Sequence, residues 1–342
     1  MNFKKQASVI PPSKAYRIVT FLRPSNYKDR VPFNTGLKMK LKQILVVAFL
    51  LMAGVAQAQI EKHRMTLPRL YQQNYFYLNP AFAGSEGKRE FGLNTHLNSI
   101  KKEGSTSPLS VIAHYQGAVG DTTRNGIGVV AVYDQFGPYW LGRLGLTYAK
   151  RFRLGEYSSI GVGTQLSAKY LNIDLAEATR GLPVKEQMVG HDNDLRPDVD
   201  VGVWLNIRNF YAGATFASLL QPNFNLTETA EREDVREVFL TAGYKLELAD
   251  EFSITPSVFF DKPLKGGEFG QQYSALATYK FLSLGATHRN GGQFSGQQAP
   301  WSIMGGVNIS ERVSFLGSYD LTKDKNGYEP DPQVEANLRF RF

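Results

Sequence analysis

The chain has 342 residues and a formal net charge of +8, which arises from 39 Lys and Arg against 31 Asp and Glu. Residues 1–58 carry ten Lys or Arg and one acid, so the remaining 284 residues carry a net charge of −1. This excludes the basic surface that nucleic-acid binding needs, and we predict no nucleic-acid partner. The absence of cysteine excludes disulfides, thiolate metal sites and cysteine nucleophiles.

The first recognisable element is a secretory signal peptide at residues 39–58. The stretch MKLKQILVVAFLLMAGVAQA has a short basic start at Lys40 and Lys42, an apolar run, and small residues at Ala56 and Ala58. This arrangement is typical of a signal that is cleaved after Ala58. We interpret residues 1–38 as a non-native upstream extension, with Met39 as the true start.

Residues 59–88 form an N-terminal segment of different character. The stretch LYQQNYFYLNPAFAGSEG, residues 70–87, is rich in aromatic residues and in Asn-Pro, and it does not alternate. We predict neither a helix nor a strand here.

From Arg89 onward the sequence repeats one unit, about ten residues of alternating apolar and polar character followed by a turn. A period of two predicts β-strands, and helical spacing fits none of these runs better. Fourteen runs are present: 89–99, 107–117, 125–135, 140–154, 158–172, 198–208, 209–217, 235–248, 251–260, 271–280, 281–288, 300–308, 312–321 and 333–342.

The links between these runs alternate in length. Long polar links (173–197, 218–234, 261–270, 289–299 and 322–332) alternate with turns of a few residues, although 118–124 and 136–139 break the pattern. Short periplasmic turns and long outer loops are typical of bacterial outer-membrane barrels, whereas a soluble sandwich has no reason to separate them. We therefore predict an all-β fold, a transmembrane antiparallel β-barrel of about fourteen strands over residues 89–342. We expect this barrel to lie in the outer membrane, in contact with lipid.

The last run, VEANLRFRF, ends in an aromatic residue. Its apolar residues from Val334 to Phe342 share one face, and Glu335, Asn337, Arg339 and Arg341 share the other. Because a sheet in hydrocarbon must close, we expect this strand to pair with the first strand, with its apolar face toward lipid. The residues assigned to sorting and closure are Leu338, Phe340 and Phe342.

Several motifs together resemble one family. Asn79 to Gly84, NPAFAG, with Asn74 five residues earlier, resembles the N-terminal signature of the PorP/SprF family, although Phe82 replaces a usual Tyr and Tyr75 a proline. Similar likeness extends over residues 125–156, 209–223, 239–260 and 337–342. One departure is the Arg-x-x-Trp element near the first strand, where Thr95 to Asn98 stand instead.

This resemblance implies an outer-membrane barrel of Bacteroidetes that works with type IX secretion. Such proteins are thought to help secrete, or hold at the surface, a substrate with a C-terminal sorting domain, and some serve gliding motility. We expect partners among type IX components and such a substrate. The expected contacts are the outer loops, chiefly 173–197, 218–234 and 261–270, and a plug segment at the periplasmic mouth. The partner-binding residues predicted in that segment are Tyr71, Asn74, Asn79, Pro80, Ala81, Phe82, Ala83 and Gly84.

Two other functions are left open. A small-molecule porin or transporter is one, since a basic lumen could favour anions; its predicted lining is Arg143, Arg151, Arg153, Lys169, Lys245, Arg339 and Arg341. The other is an outer-membrane surface hydrolase, because catalytic groups can be assembled from distant residues. No G-x-S-x-G motif or recognisable catalytic grouping is present, so we expect no enzyme activity and no catalytic residues.

We also predict no cofactor and no metal. The five histidines show no i, i+4 pair, and the acids of GHDNDLRPDVD, residues 190–200, lack EF-hand spacing. We interpret that stretch as a solvated acidic loop, with a calcium site as the alternative. The glycines of Gly126-Ile127-Gly128 and Gly161-Val162-Gly163 fall within strands, where they let strands bend or make room for neighbouring side chains.

Overall fold

The computed structural model describes residues 67–97, 109–120, 125–181, 187–226, 231–292, 300–321 and 333–342. The predicted upstream extension, the predicted signal peptide and the first residues after the predicted cleavage site lie outside these ranges. Among the helices of the described ranges, none combines the length and apolar character needed to cross a membrane.

Within the described residues, fourteen strands form one closed antiparallel barrel. The strands are β1 (Glu90–Leu97), β2 (Leu109–Val119), β3 (Asn125–Phe136), β4 (Tyr139–Gly155), β5 (Ser158–Asp174), β6 (His191–Ile207), β7 (Phe210–Ala217), β8 (Glu237–Tyr244, continued by Leu246–Ala249), β9 (Phe252–Pro263), β10 (Gly270–Tyr279), β11 (Leu282–Asn290), β12 (Trp301–Asn308), β13 (Val313–Leu321) and β14 (Val334–Arg341). Each corresponds to one alternating run of the sequence, so the predicted fold is confirmed.

Strand β8 is interrupted at Lys245. Its two parts both pair with β9, whereas only Glu237–Tyr244 pairs with β7. The link between β7 and β8 contains a small separate hairpin, in which Asn223–Asn225 pairs with Glu231–Glu233.

The barrel closes between its first and last strands. Strands β1 and β14 pair over eight residues, from Glu90 opposite Arg341 to Leu97 opposite Val334. The terminal Phe342 N–H donates to the carbonyl oxygen of Arg89 at 2.9 Å. Leu338 and Phe340 stand opposite Leu93 and Phe91 in this seam, and the sorting role assigned to Leu338, Phe340 and Phe342 stays a prediction.

The two faces of the wall differ in polarity as the alternation predicted. In β4 the exposed side chains include Leu144, Leu146 and Tyr148, while Arg143 and Thr147 are buried on the inner face. In β14, Glu335, Asn337 and Arg339 are buried inside, at 0%, 1% and 6% exposure. An apolar exterior suits lipid, and the polar groups collect in the lumen.

The two ends of the barrel differ in the length of the links between strands. Turns 156–157, 208–209, 250–251, 280–281 and 309–312 lie at the same end as both barrel termini, and we assign this end to the periplasm. The predicted exceptions recur, since link 137–138 is short and link 120–124 is longer than the other periplasmic turns.

The expected outer loop 173–197 is wrong in extent. Strands β5 and β6 are 17 residues each and pair from Ser158 opposite Ile207 to Asp174 opposite His191. The link is therefore residues 175–190. The physical reason is that a sheet extending beyond hydrocarbon can be polar on both faces, which removes the contrast that marks a strand.

Removal of residues 338–342 tests the seam. Without them the backbone from Glu90 to Leu93 loses its partner strand, and each unpaired group in hydrocarbon costs on the order of several kcal/mol. We expect loss of the folded barrel, measured as loss of the mobility difference between boiled and unboiled samples on a gel.

The matched control for this truncation is Arg341→Ala, which keeps the backbone of all eight residue pairs of the seam and leaves the residues assigned to sorting unchanged. This variant should retain the heat-modifiable species. A truncated chain that still forms that species would contradict a seam between β1 and β14.

Candidate functional site

The candidate site is the stretch of residues 67–88, here called the lumen segment. It contacts inward-facing residues of strands around the whole barrel, including β1, β2, β4, β6, β9 and β14. It therefore lies inside the barrel. It contains three short helical turns, Tyr71–Gln73, Tyr75–Leu78 and Pro80–Phe82, where the sequence predicted neither helix nor strand.

The helical turn after Asn79 has a local cause. The Asn79 side-chain oxygen accepts from the Ala81 N–H at 2.9 Å, and Pro80 occupies the first helical position. Asn is a favoured N-cap, and Pro lacks an N–H that would need a partner there. The Asn-Pro pair thus starts a turn, a signal that was visible in the sequence.

The beginning of the segment is held by a carboxylate of the last strand. Glu335 accepts the backbone N–H groups of Arg69 and Leu70, at 2.7 and 3.0 Å. The Arg69 side chain donates from Nε to Asp320 Oδ2 at 3.0 Å and from Nη1 to His96 Nε2 at 2.7 Å. These charge-assisted bonds fix both the backbone and the side chain at the point where the described segment begins.

Asn74 connects the segment to both sides of the seam. Its Nδ2 donates to Asn94 Oδ1 of β1 at 3.0 Å, and Asn337 of β14 donates to the same oxygen at 3.2 Å. One buried amide oxygen therefore joins the first strand, the last strand and the lumen segment.

Aromatic side chains fill the middle of the lumen. Tyr71 stacks on Phe259 at 5.4 Å between ring centroids, and Tyr75 lies 5.1 Å from Trp204. The Tyr71 hydroxyl lies 2.8 Å from Ser257 Oγ. The Tyr75 hydroxyl lies 2.6 Å from that of Tyr211. Each aromatic pair contributes on the order of 1 kcal/mol beyond its area burial, so the cluster rigidifies the segment.

The NPAFAG stretch is bonded to the wall through the Asn79 side chain and through its backbone carbonyls. Asn79 Nδ2 donates to the carbonyl oxygens of Val203 and Ala214, at 3.0 and 3.2 Å. The Arg151 guanidinium donates to the carbonyl oxygens of Ala81, Ala83 and Gly84. One buried guanidinium thereby binds three backbone carbonyls of the stretch.

Glycines in the wall allow this close approach. A Cβ at Gly163 would lie 2.6 Å from Ala81 Cα, and one at Gly126 would collide with the Ala83 carbonyl oxygen. The separation of 2.6 Å at Gly163 and the shorter one at Gly126 are far below normal van der Waals contact. The expectation that strand glycines make room for neighbours is confirmed at these two positions.

All eight residues predicted to bind a partner lie together in the lumen segment and are buried. Tyr71, Asn74, Ala81 and Ala83 are each 0% exposed. In this structure they contact the barrel wall, and their role in partner binding stays a prediction. Glu86 to Lys88, at the periplasmic end of the segment, are exposed.

The expected lining is confirmed for Arg143, Arg151, Lys169 and Arg339, which are buried on the inner face, but the expected basic charge of the lumen is wrong. Buried charged side chains of the described residues comprise nine acids and six Lys or Arg. Arg143 is paired with Asp200, Lys169 Nζ lies 2.6 Å from Asp198 Oδ2, and Arg339 Nη2 lies 2.6 Å from Glu90 Oε2. Lys245 and Arg153 are exposed near the periplasmic turns.

The expected solvated acidic loop is wrong for Asp198 and Asp200. Both lie in β6 with their side chains buried, at 1% and 5% exposure, and both pair with lumen cations. Sequence reasoning missed their role because the partners, Arg143 and Lys169, are distant in the chain. Within the described ranges, no cluster of three or more His, Asp or Glu is arranged to hold a metal ion.

In the link between β7 and β8, residues 218–236, the described residues cover the inner wall at the outer end. Phe224 and Leu226 pack against Leu141, Leu171 and Ile173 of β4 and β5. In the same link, Asp234 Oδ2 lies 2.7 Å from Lys169 Nζ. An outer connection therefore turns inward, above the lumen segment.

Closure, alternating faces and a polar, filled interior define a transmembrane β-barrel of the bacterial outer-membrane type. The family model PorP_SprF, described as type IX secretion system membrane protein PorP/SprF, matches residues 64–340. The chain belongs to this family and is an outer membrane protein.

Solved structures with similar barrels include two toluene transporters. TbuX of Ralstonia pickettii is 12% identical, with 79% of this chain and 93% of that chain covered and a TM-score of 0.47. TodX of Pseudomonas putida is 11% identical, with 78% and 92% covered and a TM-score of 0.46. A FadL homologue of Pseudomonas aeruginosa is 11% identical, with 79% and 92% covered and a TM-score of 0.43. A search of curated protein sequences gave no match.

Gly163→Leu tests the packing of the lumen segment. A side chain at this position forces Ala81 away from β5, and such overpacking costs about 1–3 kcal/mol. We expect a lower unfolding temperature in detergent and faster proteolysis within the segment than in the native protein.

Gly305→Leu is the matched control, since a Cβ there faces outward and meets only Leu284 Cδ2 at 3.8 Å. It should behave as the native protein in both assays. Equal effects of the two substitutions would contradict close packing between the segment and β5.

Proposed function

We propose that this barrel assists the secretion or surface attachment of a type IX secretion substrate, by binding that substrate or a component of the export machinery. The observation that carries the proposal is the lumen segment, which occupies the interior of the barrel through buried hydrogen bonds. Membership of the PorP/SprF family supplies the link to type IX secretion. A gliding adhesin is one substrate of this kind.

The filled lumen favours a binding role over a passive pore. Porin barrels of about sixteen strands enclose an aqueous channel. In this fourteen-stranded barrel, the lumen segment and described residues of link 218–236 occupy the interior. The cations that would select anions are paired with acids or with carbonyl oxygens. A small-molecule pore would therefore require the segment to leave its site.

Recognition would fall to the two ends of the barrel. Outer links 175–190, 218–236 and 264–269 replace the loops expected from sequence, and loops on a rigid scaffold commonly carry binding. At the periplasmic end, the exposed residues Glu86 to Lys88 are open to a component of the export machinery. The eight buried residues of the segment would act by holding these surfaces in place, or by direct contact once the segment is released.

Deletion of residues 70–84 tests the proposal in cells that lack the native gene. We expect the barrel to insert and the exported substrate to be lost from the cell surface, because the surfaces that the segment supports are no longer held. Surface labelling of the substrate, with its amount in medium and periplasm, gives the result. Gly163→Leu is a second variant that displaces the segment without a deletion, and Gly305→Leu is the control.

Unchanged surface substrate with both segment variants inserted would contradict the proposal. The conductance of the same purified proteins in planar bilayers distinguishes the proposal from the alternative, a small-molecule pore. The native barrel should show no steady conductance and the deletion variant should show one. A steady open pore in the native protein would instead favour transport. The expectation that the protein is not an enzyme stays a prediction.

A further inference from the structure

A row of small residues crosses the lipid-facing side of the wall on four neighbouring strands. Gly305 of β12 lies opposite Gly317 of β13, and Gly317 lies opposite Ala336 of β14. Across the seam, Ala336 lies opposite Thr95 of β1. Residues directly opposite each other in antiparallel strands share one face of the sheet. Leu284 of β11, opposite Gly305, is 68% exposed, so the row faces outward.

Larger apolar side chains flank this row on both sides. Toward the outer ends of the strands, the flanking residues lie opposite one another in the order Ile303, Tyr319, Val334 and Leu97. Toward the periplasmic ends, they follow in the order Val307, Phe315, Leu338 and Leu93. The small residues therefore form the floor of a groove, here called the exterior groove. A recess of about 560 Å³ with an apolar lining lies at its β12 and β13 end.

The described part of the wall leaves the floor of the groove open. A Cβ at Gly305 would meet Leu284 Cδ2 at 3.8 Å, and one at Gly317 would have its nearest neighbour at 3.7 Å. The outward-facing Gly142 of β4 differs, since a Cβ there would lie 3.3 Å from the Trp140 ring. Surface atoms without neighbours lose dispersion contacts, and within lipid such packing contacts decide what associates. The exterior groove is therefore a packing site that the wall itself does not fill.

The exterior groove lies at the depth of lipid acyl chains. Its four floor residues are three to five residues from the periplasmic ends of their strands. A rise of about 3.3 Å per residue and a strand tilt of about 35–45° place them about 7–13 Å from those ends. This is roughly the periplasmic half of an apolar band about 25 Å tall. The occupant at this depth is hydrocarbon or an apolar part of a protein.

The dimensions of the groove favour an acyl chain over a protein. Ile303 and Val307 are four residues apart in β12, so the flanking rows lie about 13 Å apart between Cα atoms. Their side chains narrow this space below the about 10–12 Å that an α-helix occupies. The convex wall of a second barrel would touch the flanking side chains and leave the floor uncovered. Three strand spacings of about 4.8 Å make the floor about 14 Å long, close to the about 15 Å of hydrocarbon in one leaflet.

We propose that the exterior groove seats one acyl chain of a phospholipid of the periplasmic leaflet, which stays bound while the surrounding lipid exchanges. The chain lies on Gly305, Gly317, Ala336 and Thr95, between the two flanking rows, and Leu284 limits the groove at β11. It contacts both strands of the seam, β14 and β1. The site faces away from the lumen segment, and it is independent of the proposed function.

Photo-crosslinking from lipid tests the site in the folded barrel. The protein is reconstituted into phosphatidylethanolamine vesicles that contain a small fraction of the same lipid with a diazirine in mid-chain, and the labelled peptides are quantified by mass spectrometry. We expect the peptides of β12 and β13 to carry several-fold more label than those of β4, whose Leu144 and Leu146 are exposed outside the groove. Gly305→Leu should lower this label to the level of β4, because the added side chain occupies the floor and itself supplies the packing contacts.

Gly317→Leu is a second variant with the same expected loss of label, since a Cβ there meets its neighbours at ordinary contact distances. Ala131→Leu, on the exposed face of β3 and outside the groove, is the matched control and should keep the excess label. Heat-modifiable mobility on a gel verifies that each variant is folded before labelling.

Equal labelling of the groove strands and of β4 in the native protein would overturn the proposal, because the groove would then meet bulk lipid alone. An excess that survives both glycine substitutions would also overturn it. Labelling of the groove strands below the level of β4 would mean that another protein chain covers the groove, and this too would overturn the acyl-chain site.

Discussion

The structure depends on one constraint, that a sheet in hydrocarbon must pair every backbone N–H and C=O group. The constraint makes β14 pair with β1 and places apolar side chains on the outside. Closure gathers the polar side chains in a narrow interior, where buried charges need partners. The ion pairs of Arg143 and Lys169 supply some of these partners, and the lumen segment supplies others through Arg69 and its backbone carbonyls.

The same reasoning explains why the NPAFAG stretch is buried. Its carbonyl oxygens accept from the Arg151 guanidinium, and its Asn79 side chain donates to two carbonyl oxygens of the wall. Small residues at Ala81 and Ala83 fit against wall glycines that a Cβ would block. The NPAFAG stretch and the strands that carry these glycines therefore pack against each other. In the proposed function, this contact supports the outer and periplasmic surfaces as a scaffold.

Much of the fold could be predicted from sequence, since a period of two and the separation of link lengths are local signals. They define the fourteen strands, the seam at Phe340 and the inward face of Glu335. The lumen contacts could not be predicted in this way. Arg143 and Asp200 are 57 residues apart, and which inward side chains meet depends on register and curvature. The outer part of β6 could not be predicted because residues 191–197, HDNDLRP, are mostly polar on both faces of the strand. The helical turns of the lumen segment arise from the Asn79 cap and from packing inside a closed wall, which no periodicity reports.

The central claim is that residues 67–84 form a packed part of the barrel interior, and hydrogen exchange of their backbone amides tests it most directly. In the folded protein in detergent, the amides of Leu70, Asn79 and Gly84 are bonded within the lumen and should exchange as slowly as those of the barrel strands. Exchange as fast as that of the exposed turn 250–251, in a barrel whose strands stay protected, would contradict this account.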